Sequence, residues 1–168
     1  MYVNFNSYMK KSLPRSSQKG FTLIELLVVI GILAILLAIT LIAINPARQF
    51  SLANNTKRSS DVNAILNSVN QYMADNRGAL PGGGVINVTA QTIQGTTFNS
   101  FCTSLVPQYI AALPVDPLTN NGTPITSTGC TGTSWNTSYT IQLLTGGSNR
   151  LQVSAPSAEL GATIQVNR

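Results

Sequence analysis

The chain has no histidine at any of its 168 positions. A histidine general acid or base is therefore excluded, and so are histidine metal ligands. Charge is scarce as well, since only 9% of residues are Asp, Glu, Lys or Arg. Lys10, Lys11, Arg15 and Lys19 all precede residue 21, which leaves six basic side chains against five acids for the rest of the chain. The net charge of +5 is thus concentrated in one flank, and nucleic-acid binding is not indicated. Beyond that flank the only lysine is Lys57. The many serines and threonines have no evident activating base, so no catalytic residue is nominated and no enzyme is expected.

What the sequence does have is one long apolar run. Phe21 to Ile44 spans 24 residues with Glu25 as its single charge, and at roughly 1.5 Å per residue it would reach about 36 Å, enough to cross a bilayer core. A secretory signal peptide is the rival reading. Its apolar region should be about 7–15 residues long and end at small residues, whereas this run is longer and closes with "AINPARQF". The basic flank keeps the N-terminus on the cytoplasmic side, so everything from Pro46 onward is expected outside the cytoplasm. Cys102 and Cys130 both fall in that exported part, where an oxidising compartment favours a disulfide between them. Glu25 is the puzzle. A carboxylate inside a span normally marks a partner or a function, and within the first turn there is no positive side chain beyond Lys19.

The stretch "KGFTLIELLVVIGILAILLA" resembles the class III signal sequence of type IV pilins and pseudopilins. In that family a basic leader ends in glycine, phenylalanine usually follows, and a glutamate stands fifth after the junction. Gly20, Phe21 and Glu25 match those positions. The resemblance is strong over about residues 15 to 45 and architectural beyond. It implies that a prepilin peptidase cuts between Gly20 and Phe21 and that the new Phe21 amine is methylated. It also implies a partner for Glu25, the N-terminal amine of a neighbouring subunit, which would make Glu25 the residue that sets assembly register. An unpaired acid in apolar surroundings is costly, and a docked amine removes that cost. Many members carry a glycine and a proline where this chain has Ala34 and Ile42; Gly31 and Pro46 are the nearest substitutes. A kink near Asn45 and Pro46 is therefore expected rather than melting of the helix between 34 and 45.

Past the run, Asn45 and Pro46 suit either the cap and first position of a new helix or a kink in one long helix. Val62, Ile65, Leu66, Val69, Tyr72 and Met73 recur at helical spacing and form one stripe; Gly78, with Pro81 beyond it, marks the stop. "VINVTAQTI" at 85–93 alternates like a half-buried strand, "SFCTSLVPQYIAALPVDP" suggests a short helix and a turn, "SYTIQLLTG" and "RLQVSAP" flank "GSN" as a hairpin, and "GATIQVNR" offers a last strand. The expected class is α+β, a long N-terminal helix packed on a small antiparallel sheet, which is also the pilin fold. The expected divisions are a leader at 1–20, a membrane or filament-core helix at 21–45, its amphipathic continuation at 46–78, and a β-rich globular part at 79–168.

"LPVDPLTNNG" resembles a stretch of the major pseudopilins of type II secretion, whose following loop binds calcium. Calcium wants six to eight oxygens, usually with several carboxylates, and from Leu118 to Ala158 there is no Asp or Glu. Asp116 is taken as a turn residue between prolines, and neither metal nor other cofactor is expected. Sequons begin at Asn54, Asn87, Asn121 and Asn136, although so Asn- and Thr-rich a chain produces them by chance. The leading functional expectation is a type IV pilus subunit that polymerises through the Phe21 to Ile44 helix. A pseudopilin of a secretion or DNA-uptake system is second, and a membrane-anchored binding module that never polymerises is third. The partners implied are further copies of the chain, the prepilin peptidase, the membrane before assembly, and an inner-membrane assembly platform with its ATPase motor. The location implied is the cytoplasmic membrane first and a surface filament afterwards.

Overall fold

The computed structural model describes residues 20–145 and 150–168. The leader's Lys10, Lys11, Arg15 and Lys19 and the Gly-Ser-Asn turn at 147–149 lie outside the described residues. The chain divides into two compact units, one running to Ile44 and the other covering Asn45–Arg168.

In the first unit, helix α1 spans Leu23–Ile44 and none of its 22 residues is buried. At roughly 1.5 Å per residue it is about 33 Å long, and it is apolar enough to cross a membrane. A helix apolar on every side needs an apolar surrounding, whether lipid or protein.

The second unit opens at Asn45. Its backbone is left-handed (φ 47°), Pro46 follows at the first helical position, and the Asn45 side chain accepts from the Arg48 N–H at 3.4 Å. Asparagine tolerates this conformation and caps well, while proline gives up an N–H that no helix start needs. Of the two readings open for this pair, cap and first position is the one found: α2 (Pro46–Asp75) starts afresh. It ends three residues short of Gly78. The Asn76 N–H donates to Tyr72 O and the Gly78 N–H to Met73 O, with Arg77 and Gly78 both at positive φ, so Gly78 belongs to the terminating turn.

The stripe of α2 is the core face. Val62, Ile65, Leu66 and Val69 are fully buried, and Tyr72 and Met73 pack against the same core. Their cover is a four-stranded antiparallel sheet, β1 (Gln91–Gln94), β2 (Asn136–Leu143), β3 (Leu151–Ser154) and β4 (Gln165–Asn167), ordered as in the chain. Ile141 faces Val153 and Val153 faces Val166 across the strands, which puts their apolar side chains on one face. Ile93, Tyr139 and Leu151 join them in the core. Helix α3 (Asn99–Leu105) adds Phe98, Phe101 and Leu105, the two phenylalanine rings meeting edge to face at 5.5 Å. Each such buried side chain contributes ~1.5–3 kcal/mol.

One strand is shorter than its sequence pattern suggests. The alternation over 85–93 predicts a strand throughout, yet β1 begins only at Gln91. Asn87 Oδ1 accepts from the Thr89 N–H at 2.9 Å, a local turn that competes with ladder pairing. Ile86 still reaches the core, whereas Val88 is left 60% exposed. The whole is the expected α+β arrangement, a long apolar N-terminal helix followed by a helix and an antiparallel sheet, consistent with the pilin fold.

Candidate functional site

Gly20 and Phe21 precede the first helical residue, and Phe21 is 84% exposed. The junction thus lies outside the helix and is accessible. Immediately after it the chain closes a reciprocal cap. The Thr22 N–H donates to Glu25 Oε2 at 2.8 Å, the Thr22 hydroxyl donates to the same oxygen at 2.6 Å, and the Glu25 N–H donates back to Thr22 Oγ1 at 3.2 Å. This is a capping box, Thr at the cap and Glu three residues on, and it satisfies donors that a helix start leaves orphaned. The acid also sits where the positive end of the helix dipole favours it.

Glu25 therefore has a partner in its own chain that is neutral, namely Thr22. The sequence itself carries the signal for this neutral partner, because Thr-x-x-Glu ahead of an apolar run is the capping-box pattern. Phe21, Ile24, Glu25, Leu26, Val28 and Val29 together outline a shallow apolar hollow at this end of α1. Among the described residues the carboxylate is its only ionisable side chain.

A second polar centre lies within the Asn45–Arg168 unit. Arg58 is fully buried on α2 and forks onto Asp116, Nε to Oδ2 at 2.6 Å and Nη2 to Oδ1 at 3.2 Å. Its Nη1 reaches Glu159 Oε2 at 2.7 Å and Asn55 Oδ1 at 3.0 Å. Glu159 is also held by Ser51 Oγ and Asn54 Nδ2, and its backbone N–H and carbonyl both bond the Asn55 side chain. One face of α2 thus grips the loop after β3 and the turn around Asp116. The Arg58 guanidinium, then Asn54 and Ser51, hold the Glu159 carboxyl below the usual carboxylate range, and Asp116 raises Arg58 further above its already high value. Asp116 is the turn residue expected, since its Oδ1 accepts from the Leu118 N–H and its carbonyl from Thr119. The ion pair with Arg58 is what the sequence did not announce.

Asp61, one turn further along, accepts from Lys57 Nζ at 2.6 Å and from the Tyr139 hydroxyl at 2.8 Å. Burial, reinforced by Asp61, pushes the Tyr139 hydroxyl above its ordinary range. Cys102 on α3 and Cys130 are both buried with Cα atoms 5.4 Å apart, a separation that suits a disulfide.

Comparison with known proteins adds one match. The family described as the prokaryotic N-terminal methylation motif matches residues 15–41, a stretch that includes Gly20, Phe21 and Glu25. No curated protein and no solved structure matches the chain. Residues 15–41 are thus the class III signal sequence of type IV pilins and pseudopilins, and this motif supports a member of the type IV pilin and pseudopilin family.

Proposed function

We propose that the protein is the structural subunit of a type IV pilus, released from its leader between Gly20 and Phe21, methylated at Phe21, and polymerised through α1. The observation that carries this reading is the 22-residue helix without one buried residue, which begins within the methylation motif and runs three residues past its end. Such a surface is soluble in lipid before assembly and can be buried among other subunits afterwards, with no change in its chemistry. The apolar helix and the motif fit membrane anchoring before assembly; the cytoplasmic N-terminus and the surface filament belong to the proposal. The same holds for the prepilin peptidase, the assembly platform and its motor as partners. A pseudopilin is the second reading, favoured by "LPVDP" at 113–117.

Processing is the first test. Mass spectrometry of subunits recovered from surface fibres is expected to give a chain beginning at Phe21, methylated on its amine. A bulky residue in place of Gly20 is expected to block cleavage. An intact leader on exported protein would overturn the reading, and fibres absent from the surface but present beneath it would favour the pseudopilin.

The Cys102–Cys130 disulfide is proposed for the exported domain. Closing a loop of 28 residues stabilises a fold by ~3–4 kcal/mol in the chain-entropy account. Alkylation without reductant is expected to leave both cysteines unlabelled and joined in one peptide pair. Serine at either position should lower fibre yield through domain instability while membrane insertion is unchanged. Free alkylation of both in native protein would contradict it.

A further inference from the structure

Two large apolar side chains of the Asn45–Arg168 unit are left open to water at the same end of α2. Phe50, on the second turn of the helix, is 71% exposed, and Leu160, in the loop between β3 and β4, is 56% exposed. Glu159 brings that loop to the helix. Its carboxylate accepts from Ser51 Oγ, and its backbone N–H and carbonyl both bond the Asn55 side chain. Leu160 then lines a shallow hollow with Asn45, Ala47, Arg48 and Ser51. Phe50 stands three residues after Ala47 and so lies beside the same hollow.

The fold does not ask for this leucine. Leu160 has φ 58°, a left-handed backbone that a bulky residue rarely takes. A side chain both strained and unburied contributes little to the core, and its use is to be sought outside. Arg48 is exposed and makes no ion pair among the described residues. The nearby acid, Glu159, is already answered by Arg58 at 2.7 Å. The patch is therefore apolar with a free cation.

Its place in the chain says what covers it. Asn45 directly follows α1, which is long and apolar enough to cross a membrane. Phe50 is five residues past Asn45, about 7.5 Å along α2, and the headgroup layer outside the hydrocarbon core is roughly 5–8 Å deep on each side. Ala47, Arg48 and Phe50 thus lie at headgroup depth whenever α1 spans. An arginine there can fork onto lipid phosphate, and apolar side chains can reach the acyl boundary.

We infer that Arg48, Phe50 and Leu160 dock the Asn45–Arg168 unit onto the headgroup layer of the membrane that α1 crosses, with Arg48 on lipid phosphate. The inference rests on α1 as a membrane span and not on whether the subunit builds a pilus or a pseudopilus.

The loop at Leu160 gives the decisive reading, because its link to the span runs through the whole folded unit and only docking brings it to lipid. Ala162, in the same turn, donates its N–H to the Glu159 carbonyl and is exposed. Full-length Ala162→Cys, labelled without reductant with a fluorescent dye, is reconstituted in phosphatidylcholine–phosphatidylglycerol vesicles. Val88→Cys, at a site 60% exposed before β1, is the reference. A nitroxide on the lipid headgroup is expected to quench the dye at 162 about twofold more than the dye at 88. Phe50→Ser with Leu160→Gly should bring 162 down to the level of 88. Its circular dichroism should stay unchanged, since both positions are exposed and glycine relieves the left-handed backbone. Arg48→Glu is the independent variant and should lower the quenching by itself. Equal quenching at 162 and 88, or undiminished quenching in both variants, overturns the inference. A dye at 162 that is unquenched in vesicles but shielded in fibres also overturns it, and gives the patch to a second copy of the chain. Carbonate extraction separates the premise from the inference: a chain stripped from the vesicles overturns the span and the docking together, while a retained chain with equal quenching overturns the docking alone.

Discussion

Glu25→Leu is expected to give processed, membrane-resident subunits and surface fibres reduced to background when it is the only subunit expressed. Leucine makes insertion easier, and the proposed cleavage lies at Gly20 and Phe21, so a loss would have to arise at assembly. The capping box makes the comparison sharper. Glu25→Leu removes both the charge and the bonds to Thr22, whereas Glu25→Gln keeps a group that can close the same box. If the carboxylate pairs with the Phe21 amine of a neighbour, both variants fail to build fibres. Thr22→Val removes only the cap and should still assemble. Glu25→Gln fibres at wild-type abundance, together with a failing Thr22→Val, would make Glu25 a helix cap and nothing more. Wild type co-expressed with Glu25→Leu should incorporate some mutant, because the mutant still presents its own amine.

The second large effect is expected at Arg58. Arg58→Ala leaves Asp116 almost wholly buried and without its fork, and breaking a buried pair from one side costs ~3–5 kcal/mol. Whole domains are stable by only ~5–15 kcal/mol. Urea titration of the variant should therefore show a midpoint far below wild type, or a domain already unfolded. The cost belongs to the orphaned charge rather than to any large net gain from the pair. Arg58→Met combined with Asp116→Asn should accordingly recover much of the loss. Arg58→Lys should fall between, because an ammonium reaches one carboxylate as a point charge and cannot fork. Equal midpoints for Arg58→Ala and wild type would show that water already reaches Asp116.

Much of this architecture was legible. The run from Phe21, the stripe from Val62 to Met73, the short helix at 99–105 and the β2–β3 pair all carry their period in the residues, because each repeats one contact along a regular element. Arg58 was harder to read, although a clue existed. It lies four residues before Val62 and seven before Ile65, on the same helix face, where an exposed arginine is out of place. What the residues cannot show is its partners. Asp116 lies 58 positions away and Glu159 lies 101 away, and no local pattern encodes such pairings. The strand expected at 85–90 failed for the opposite reason, since a single Asn87 side chain overrode an alternating pattern through a purely local bond. A search for opposite charge does not reveal Thr22, because it meets Glu25 with a hydroxyl and a backbone N–H.

The order of the elements along the chain also sets a timetable. Ribosomes make protein from the N-terminus at about 5–20 residues per second, and α2 is complete at Asp75 while its cover, β2 and β3, ends at Ser154. Val62, Ile65, Leu66 and Val69 must therefore wait several seconds, on the order of ten at the slower rates, before Ile141, Leu151 and Val153 exist to meet them. Glu159, which Ser51, Asn54, Asn55 and Arg58 all hold, arrives later still. For that interval the nascent chain shows two apolar surfaces, one built for lipid and one meant for its own sheet. Only the first has a home already waiting. The stretch from Ser51 to Ser60, mostly polar, separates the two.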